Sequence, residues 1–235
     1  MNAISPDITF DLAATSLREL NTALHAATGE SNARRWRVLN PDGRHAVAVG
    51  INAPLTVEIE GHVGYYCAGM NAEASVIIHG NAGVGLAENM MSGFVHVRGD
   101  ASQAAGATGH GGLLVIDGNA SARCGISMKG IDIVVKGSVG HMSAFMGQSG
   151  SLIVLGDAGE ALGDSLYEAK LFVRGSVKSL GADCIEKELR DEHRTLLAEK
   201  LKAAGLDGSV DVSEFKRYGS SRQLYNFHVD NASAY

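Results

Sequence analysis

The chain has 235 residues, 45% of them hydrophobic and 20% charged, with 20 Lys and Arg against 26 Asp and Glu and a formal charge of −6. That length accommodates one or two ordinary domains. Mild acidity without a run of like charges leaves no electrostatic footprint for nucleic acid or an anionic membrane, so neither is expected as a partner.

The opening MNAISPDITFDLAAT has no basic stretch and no apolar core segment, which argues against a signal or transit peptide and makes a cytoplasmic location the expectation. Ser16-Leu-Arg-Glu19 is a capping box, and Leu17, Leu20, Leu24 and Ala27 follow at helical spacing. One helix of about 12 residues is predicted. Asn40-Pro41-Asp42-Gly43 is a turn between two strand-like runs, Trp36 to Leu39 and Ala46 to Val49, expected to cover the first unit of a repeat that begins at residue 55. Residues 1–54 are therefore an N-terminal helix with capping strands.

Glycine is abundant, 30 residues, and most lie between Gly61 and Gly181. Seven of them, Gly61, Gly80, Gly99, Gly118, Gly137, Gly156 and Gly175, recur at an unbroken interval of 19. Each closes a short apolar run: VEIEG, VIIHG, VHVRG, LVIDG, IVVKG, LIVLG and LFVRG. Four and two residues before the glycine every copy has a branched aliphatic residue, while the residue just before it is polar in all copies except Leu155. Period two marks a short strand with one buried face. Two residues after the glycine stand Val63, Ala82, Ala101, Ala120, Val139, Ala158 and Val177, small and apolar as an inward position in a tight space requires.

Such a unit cannot bury its own apolar face, whereas identical units stacked in register can. The fold class is all-β, a right-handed parallel β-helix of about seven 19-residue coils over residues 55–181, with helical flanks on both sides. Its strands would stack at ~4.8 Å, the glycine supplying positive φ or a close backbone approach. An exact period with identical parity argues against a two-sheet sandwich, and the lack of a six-residue sub-period argues against the left-handed form. The stretch from Gly137 to Gly156 has no Asp, Glu, Lys or Arg, but its Gly, Ser, His and Gln content excludes a membrane span.

Residues 182–235 form the C-terminal flank. Asp183-Cys-Ile-Glu186 has the form of a second capping box, and Ile185, Leu189, Leu196, Leu197 and Leu201 share a helical face ending at Gly205, so this helix should cap or flank the last coil. The final segment, FKRYGSSRQLYNFHVDNASAY, carries Phe215, Arg217, Tyr218, Arg222, Tyr225, Phe227 and Tyr235. These are either a tail packed along the solenoid or anchors for another subunit.

No catalytic, cofactor-binding or metal-binding residue stands out. Three cysteines cannot by themselves complete a four-Cys metal or iron–sulfur site, and Cys67 and Cys124 share one column three coils apart, about 14 Å. His62, His79, His96, His110 and His141 occupy different columns. Asp100 and Asp157, also three coils apart, cannot pair as acid and base, and the column after the glycine, His62, Asn81, Asp100, Asn119, Ser138, Asp157 and Ser176, has the residues of local turns. Gly83-Val-Gly85 lacks the third glycine of a dinucleotide fingerprint, and Gly109-His-Gly-Gly112 fits an anion cradle or an ordinary loop equally.

The segments LTVEIEGHVGYYCAGMNAEASVIIHG and GSVGHMSAFMGQSGSLIVLG resemble the coils of the GXGXG domain, the β-helix that closes the large subunit of glutamate synthase and also occurs in one subunit of formylmethanofuran dehydrogenase. The resemblance covers roughly residues 55–181. The leading SLRELNTALHAAT and the ending FKRYGSSRQLYNFHVDNASAY look most like the small β-helix subunit of N-methylglutamate synthase and its glutamate-synthase-like relatives. The resemblance implies a non-catalytic structural chain that holds an amidotransferase-like subunit against an FMN and iron–sulfur synthase-like subunit, with no cofactor of its own. It leaves open an ordinary glutamate-synthase-like amidotransferase complex, and formylmethanofuran dehydrogenase. An independent solenoid enzyme is the reading of another class.

Overall fold

The computed structural model describes residues 6–27 and 34–222. Its eleven strands form one sheet. Strand β1 (Ile8–Asp11) precedes helix α1 (Leu17–Ala26), and β2 (Arg35–Leu39) leads into the repeat strands β3 (Thr56–Glu60), β4 (Ser75–Ile78), β5 (Phe94–Val97), β6 (Leu113–Ile116), β7 (Lys129–Val135), β8 (Ser149–Val154) and β9 (Lys170–Val173). After them come β10 (Cys184–Lys187), α2 (Asp191–Ala203), a 3-10 turn at Val212–Glu214 and β11 (Lys216–Ser220). From β1 to β9 every pairing is parallel and sequential, with Val57 beside Val76, Val76 beside Val95 and so on to Leu152 beside Leu171. The chain is the expected parallel β-solenoid.

The inward columns fill the interior completely. Val57, Ile59, Val76, Ile78, Val95, Val97, Leu114, Ile116, Ile133, Val135, Leu152 and Val154 are all fully buried. A second ladder of parallel bridges runs through Val63, Ala82, Ala101, Ala120, Val139, Ala158 and Val177, the small apolar column.

Between the two ladders the backbone turns the corner by alternating sign. Gly85, Ala87 and Asn89 have φ of 70°, 53° and 56°, and Ala104, Gly106, Thr108 and Met142, Ala144, Met146 repeat the pattern at the same offsets. Alternation sends successive N–H groups in opposite directions along the stack: Gly85 and Asn89 donate forward to Gln103 and Ala107, and Ala87 donates back to Cys67. Each coil is thereby hydrogen-bonded to both neighbours at a corner where strands alone would leave polar groups unpaired.

The period glycines are required by close approach rather than by φ, except Gly61 at 139°. A Cβ on Gly80, Gly137 or Gly156 would fall 2.6–2.7 Å from the carbonyl oxygen of the preceding glycine in the column. The column after the glycine corrects the expectation of local turn bonds, because its side chains bridge coils. Asn81 N–H donates to His62 Nδ1 (2.9 Å), Asp100 N–H to Asn81 Oδ1 (2.9 Å), Asn119 N–H to Asp100 Oδ1 (2.7 Å), Ser138 N–H to Asn119 Oδ1 (2.9 Å), Asp157 N–H to Ser138 Oγ (2.9 Å) and Ser176 N–H to Asp157 Oδ1 (2.7 Å). Removing one acceptor strands one inter-coil donor. Asn119→Ala should cost about 1 kcal/mol in chemical denaturation, with Ser138→Gly giving a similar loss.

Three further expectations change at the flanks. Trp36 to Leu39 is a strand, β2, but stacks in the sheet as a further coil, with Trp36 opposite Val57, instead of covering it. Ala46 to Val49 is not a strand. Ala46 and Ala48 take φ of 55° and 56°, the corner conformation, and Asn21 of α1 clamps them, donating to Ala46 O (2.8 Å) and accepting from Ala48 N–H (3.1 Å). Helix α1 has the expected capping box at Ser16 and Glu19, and its buried Leu20 and Leu24 close this end of the core. At the other end Asp183 to Glu186 starts no helix. Asp183 has φ of 62°, Cys184–Lys187 is a strand, and Ile185 is exposed.

Helix α2 lies over the outward face of the sheet, where Leu197, Leu201, Ala204 and Phe215 pack on Val115, Val134, Ile153 and Phe172. Lys200 Nζ pins it to Asp132 Oδ2 (2.6 Å), a carboxylate that also accepts from Ser151 Oγ. Strand β11 then pairs antiparallel with β9, and β10 with β11. Among the described residues no helix is long and apolar enough to cross a membrane.

Candidate functional site

Cys67, Cys124 and Cys184 are free and buried. Burial pushes the Cys67 and Cys124 thiols up to about 12 and the Cys184 thiol up to about 11. A thiol in that state is a poor nucleophile at neutral pH, and the three do not come together, with Cys67 and Cys124 on different coils and Cys184 on β10. A thiol-reactive chromogenic disulfide should label none of the three in the folded chain near pH 8 and all three after unfolding.

The histidine, aspartate and lysine side chains of one patch on the outward face meet across coils. His96 donates from Nε2 to Asp117 Oδ1 (2.8 Å), Lys136 Nζ lies 2.6 Å from the same oxygen, and Arg98 Nη1 lies 3.3 Å from Oδ2. Burial would raise the Asp117 carboxyl, but hydrogen bonds from Lys136 and His96 hold it below the usual range. Burial lowers the His96 imidazole, with the Asp117 hydrogen bond opposing in part and Arg98 and Lys136 adding to the fall. With every ring and carboxylate contact directed at a neighbour, the patch is a structural clasp across three coils. Sequence columns taken one at a time miss it, because His96 and Asp117 are 21 residues apart, one coil plus two.

The lowered imidazole has a pH consequence. Unfolded His96 protonates near its ordinary 6.5 and the folded ring only at lower pH, so in that window the unfolded chain binds more protons. Stability is therefore full above 6.5 and falls on acidification below it. Urea midpoints compared at about pH 7.5 and about pH 5.5 should show the fall, and His96→Gln should reduce it, the remainder coming from His193, whose imidazole is also lowered.

Other candidates resolve into structure. Among the described residues one trio could share a metal, Glu58, Glu60 and His79, with ligand atoms within 4.8 Å of one another. It lies on the surface, with Glu60 engaged by Arg37 of β2 at 2.9 Å and His79 Nε2 lying 3.6 Å from Glu58, so its groups serve contacts between neighbouring coils. Gly109-His-Gly-Gly112 is a corner of the coil, its amides at Gly109, His110 and Gly111 already donating to Gly106 and Met90 carbonyls. Asp100 and Asp157 are members of the side-chain ladder.

Of the tail residues, Phe215, Arg217 and Tyr218 are buried, 4%, 6% and 5% exposed, Tyr218 in the interior core and Phe215 beneath α2, so their apolar surface is used inside the chain. Arg222 pairs with Asp183. Tyr225, Phe227 and Tyr235 lie outside the described residues. Large apolar side chains do stand exposed elsewhere, with Met70 and Met146 on the corner where the backbone alternates and Met91 and Tyr167 two positions past it in their coils.

No family model matches the chain, and no solved structure matches it. A curated relative does: Protein GlxC of Rhizobium meliloti (strain 1021) is 68% identical over 225 residues, covering 96% of this chain and 98% of its own. At that identity the inward columns and the ladder fall within a single aligned length, and the chain belongs to the family of this Rhizobium meliloti protein.

Proposed function

We propose that the chain is a structural subunit of a glutamate-synthase-like complex, of the N-methylglutamate synthase type, that sets an amidotransferase-like subunit against an FMN and iron–sulfur subunit. The observation that carries this reading is a closed interior combined with polar groups that bond from coil to coil. Aliphatic side chains fill the solenoid, the thiols are buried, and the Asn, Asp and Ser column serves the stack. What such a chain offers a partner is a rigid surface of constant pitch, about 4.8 Å per coil. Fixing two active sites at a constant separation lets a labile amine pass between them at high effective concentration.

In this proposal the assembled complex forms N-methylglutamate from glutamate and methylamine with loss of ammonia, and the chemistry belongs to the partners. The coil resemblance to the GXGXG domain supports the assembly, and the exposed Met70, Met91, Met146 and Tyr167 supply apolar contacts for it. The test is to tag this chain in its native host, grow on methylamine, purify gently, and record partner masses with the visible spectrum. Two larger subunits with flavin and iron–sulfur absorbance, and N-methylglutamate formation by the preparation, are expected. Partners that form glutamate from glutamine and 2-oxoglutarate, or that carry molybdenum or tungsten, would reassign the complex, and a colourless chain that purifies alone would overturn the proposal.

A further inference from the structure

At the last strands of the sheet, cations gather on the outward face without carboxylate partners. Arg217 lies opposite Phe172 in the pairing of β11 with β9, and Lys187 lies opposite Arg217 in the pairing of β10 with β11. Lys170, two residues before Phe172, shares that face. The Lys187 stem crosses Gly219, its Cδ 3.3 Å from where a Cβ would stand. Helix α2 begins at the same corner: Arg217 Nη1 donates to Glu188 O (3.2 Å), and buried His193 accepts the Arg190 N–H at Nδ1 (3.2 Å).

The charges press on one another. Burial, then the Arg217 and Arg190 guanidiniums, push the Lys187 ammonium down, and burial, Arg217, Lys170 and Arg190 do the same to the His193 imidazole, with Glu192 opposing. Arg217 is 6% exposed, and its Nε–H has no acceptor among the described residues. No ion pair forms to Arg217, Lys187 or Lys170 among the described residues, while the adjacent Glu188 and Glu192 carboxylates lie 3.5 and 3.7 Å from Arg190 nitrogens. The first N–H groups of this 13-residue helix add their partial positive charge, with the Asp191 and Glu192 carboxylates of the same turn set against it.

A buried guanidinium whose Nε–H has no acceptor among the described residues, and whose nearest opposing charge, Glu192, stays beyond ion-pair contact, is costly unless an anion completes it. We propose that the corner formed by Arg217, Lys187, Lys170 and the first turn of α2 is a binding site for a small oxyanion, a carboxylate or phosphate group. The planar guanidinium fork matches either oxyanion, and the two lysines supply the remaining charge. The exposed Glu188 and Glu192 at the rim oppose an extended polyanion and favour a compact ligand.

The test is calorimetric titration of the full purified chain with inorganic phosphate and, separately, with succinate, against sodium chloride at matched ionic strength. Saturable binding of at least one is expected, tighter phosphate pointing to a phosphate ester and tighter succinate to a carboxylate ligand. Lys187→Gln and Lys170→Gln should each weaken it by about tenfold or more, the scale of a charge-assisted hydrogen bond. Arg217→Lys, checked for folding by circular dichroism, should weaken it further, and the two lysine variants decide the matter if it does not fold. Heat no different from chloride, or affinity unchanged in both lysine variants, would overturn the site.

Discussion

Gly137→Ala is expected to lower the free energy of unfolding by about 3 kcal/mol or more, at the upper end of what overpacking costs. The added methyl would stand 2.5 Å from Asn119 Oδ1, 2.6 Å from Gly118 O and 2.8 Å from Gly118 C. Two of those atoms are backbone of the neighbouring coil, so relief requires the coils to separate. In a stack where each unit contacts only its neighbours, a mid-stack separation breaks both ladders at once and divides the solenoid into two weaker halves. Gly43→Ala is the control: its φ is 71° but nothing lies within 4 Å of the new atom, so only backbone strain of about 1 kcal/mol is expected. Urea unfolding of both variants checks the account, and equal losses would contradict the close-approach role of the column.

Phe172→Ala should cost about 3–5 kcal/mol, the range for deleting a buried aromatic. Its ring is fully buried on the outward face in the cluster with Leu197, Leu201 and Phe215. Helix α2 has Asp, Glu, Arg and Lys over most of its surface and little reason to persist alone at 13 residues, so its docking depends on this cluster and on the Lys200 to Asp132 ion pair. Limited proteolysis of the variant should therefore cut first within residues 188–215, with the coils intact. Cleavage distributed across residues 56–177 instead would show that α2 is not the element Phe172 holds.

The parts legible in the sequence are those whose signal is local and repeated. The glycine column, the inward aliphatic positions and the Ser16 to Glu19 box each state their role within a few residues, and stacking multiplies the first two by seven. The coil at β2 escapes that period because Trp36 pairs with Val57 at a spacing of 21, and Asn40, with φ of 52°, follows Leu39 into register with Gly61 where a glycine would continue the column. Asp183 to Glu186 illustrates a different limit: Asp-x-x-Glu is a capping pattern, yet the same residues alternate as a strand once β11 offers an antiparallel partner from beyond helix α2. That partnership is tertiary, and no local propensity encodes it.

The docking face of α2 has its own signal in the column three residues before each glycine. It changes from Glu58, Ile77 and His96 to Val115, Val134, Ile153 and Phe172, marking where an exposed sheet face becomes a covered one. Charged clusters are harder, since the His96 to Asp117 clasp is diagonal across coils and the Arg217, Lys187 and Lys170 corner joins three strands that are distant in sequence. Only the closed three-dimensional register brings such residues together.

The measurement that tests the scaffold role most directly is reconstitution of the two proposed partner subunits with and without this chain, following both N-methylglutamate formation and the flavin spectrum. The account predicts that the partners keep their flavin and iron–sulfur absorbance alone, that overall turnover appears only when this chain is added in stoichiometric amount, and that the chain by itself turns over nothing. Full turnover without it, or turnover by the purified chain alone, would contradict the account.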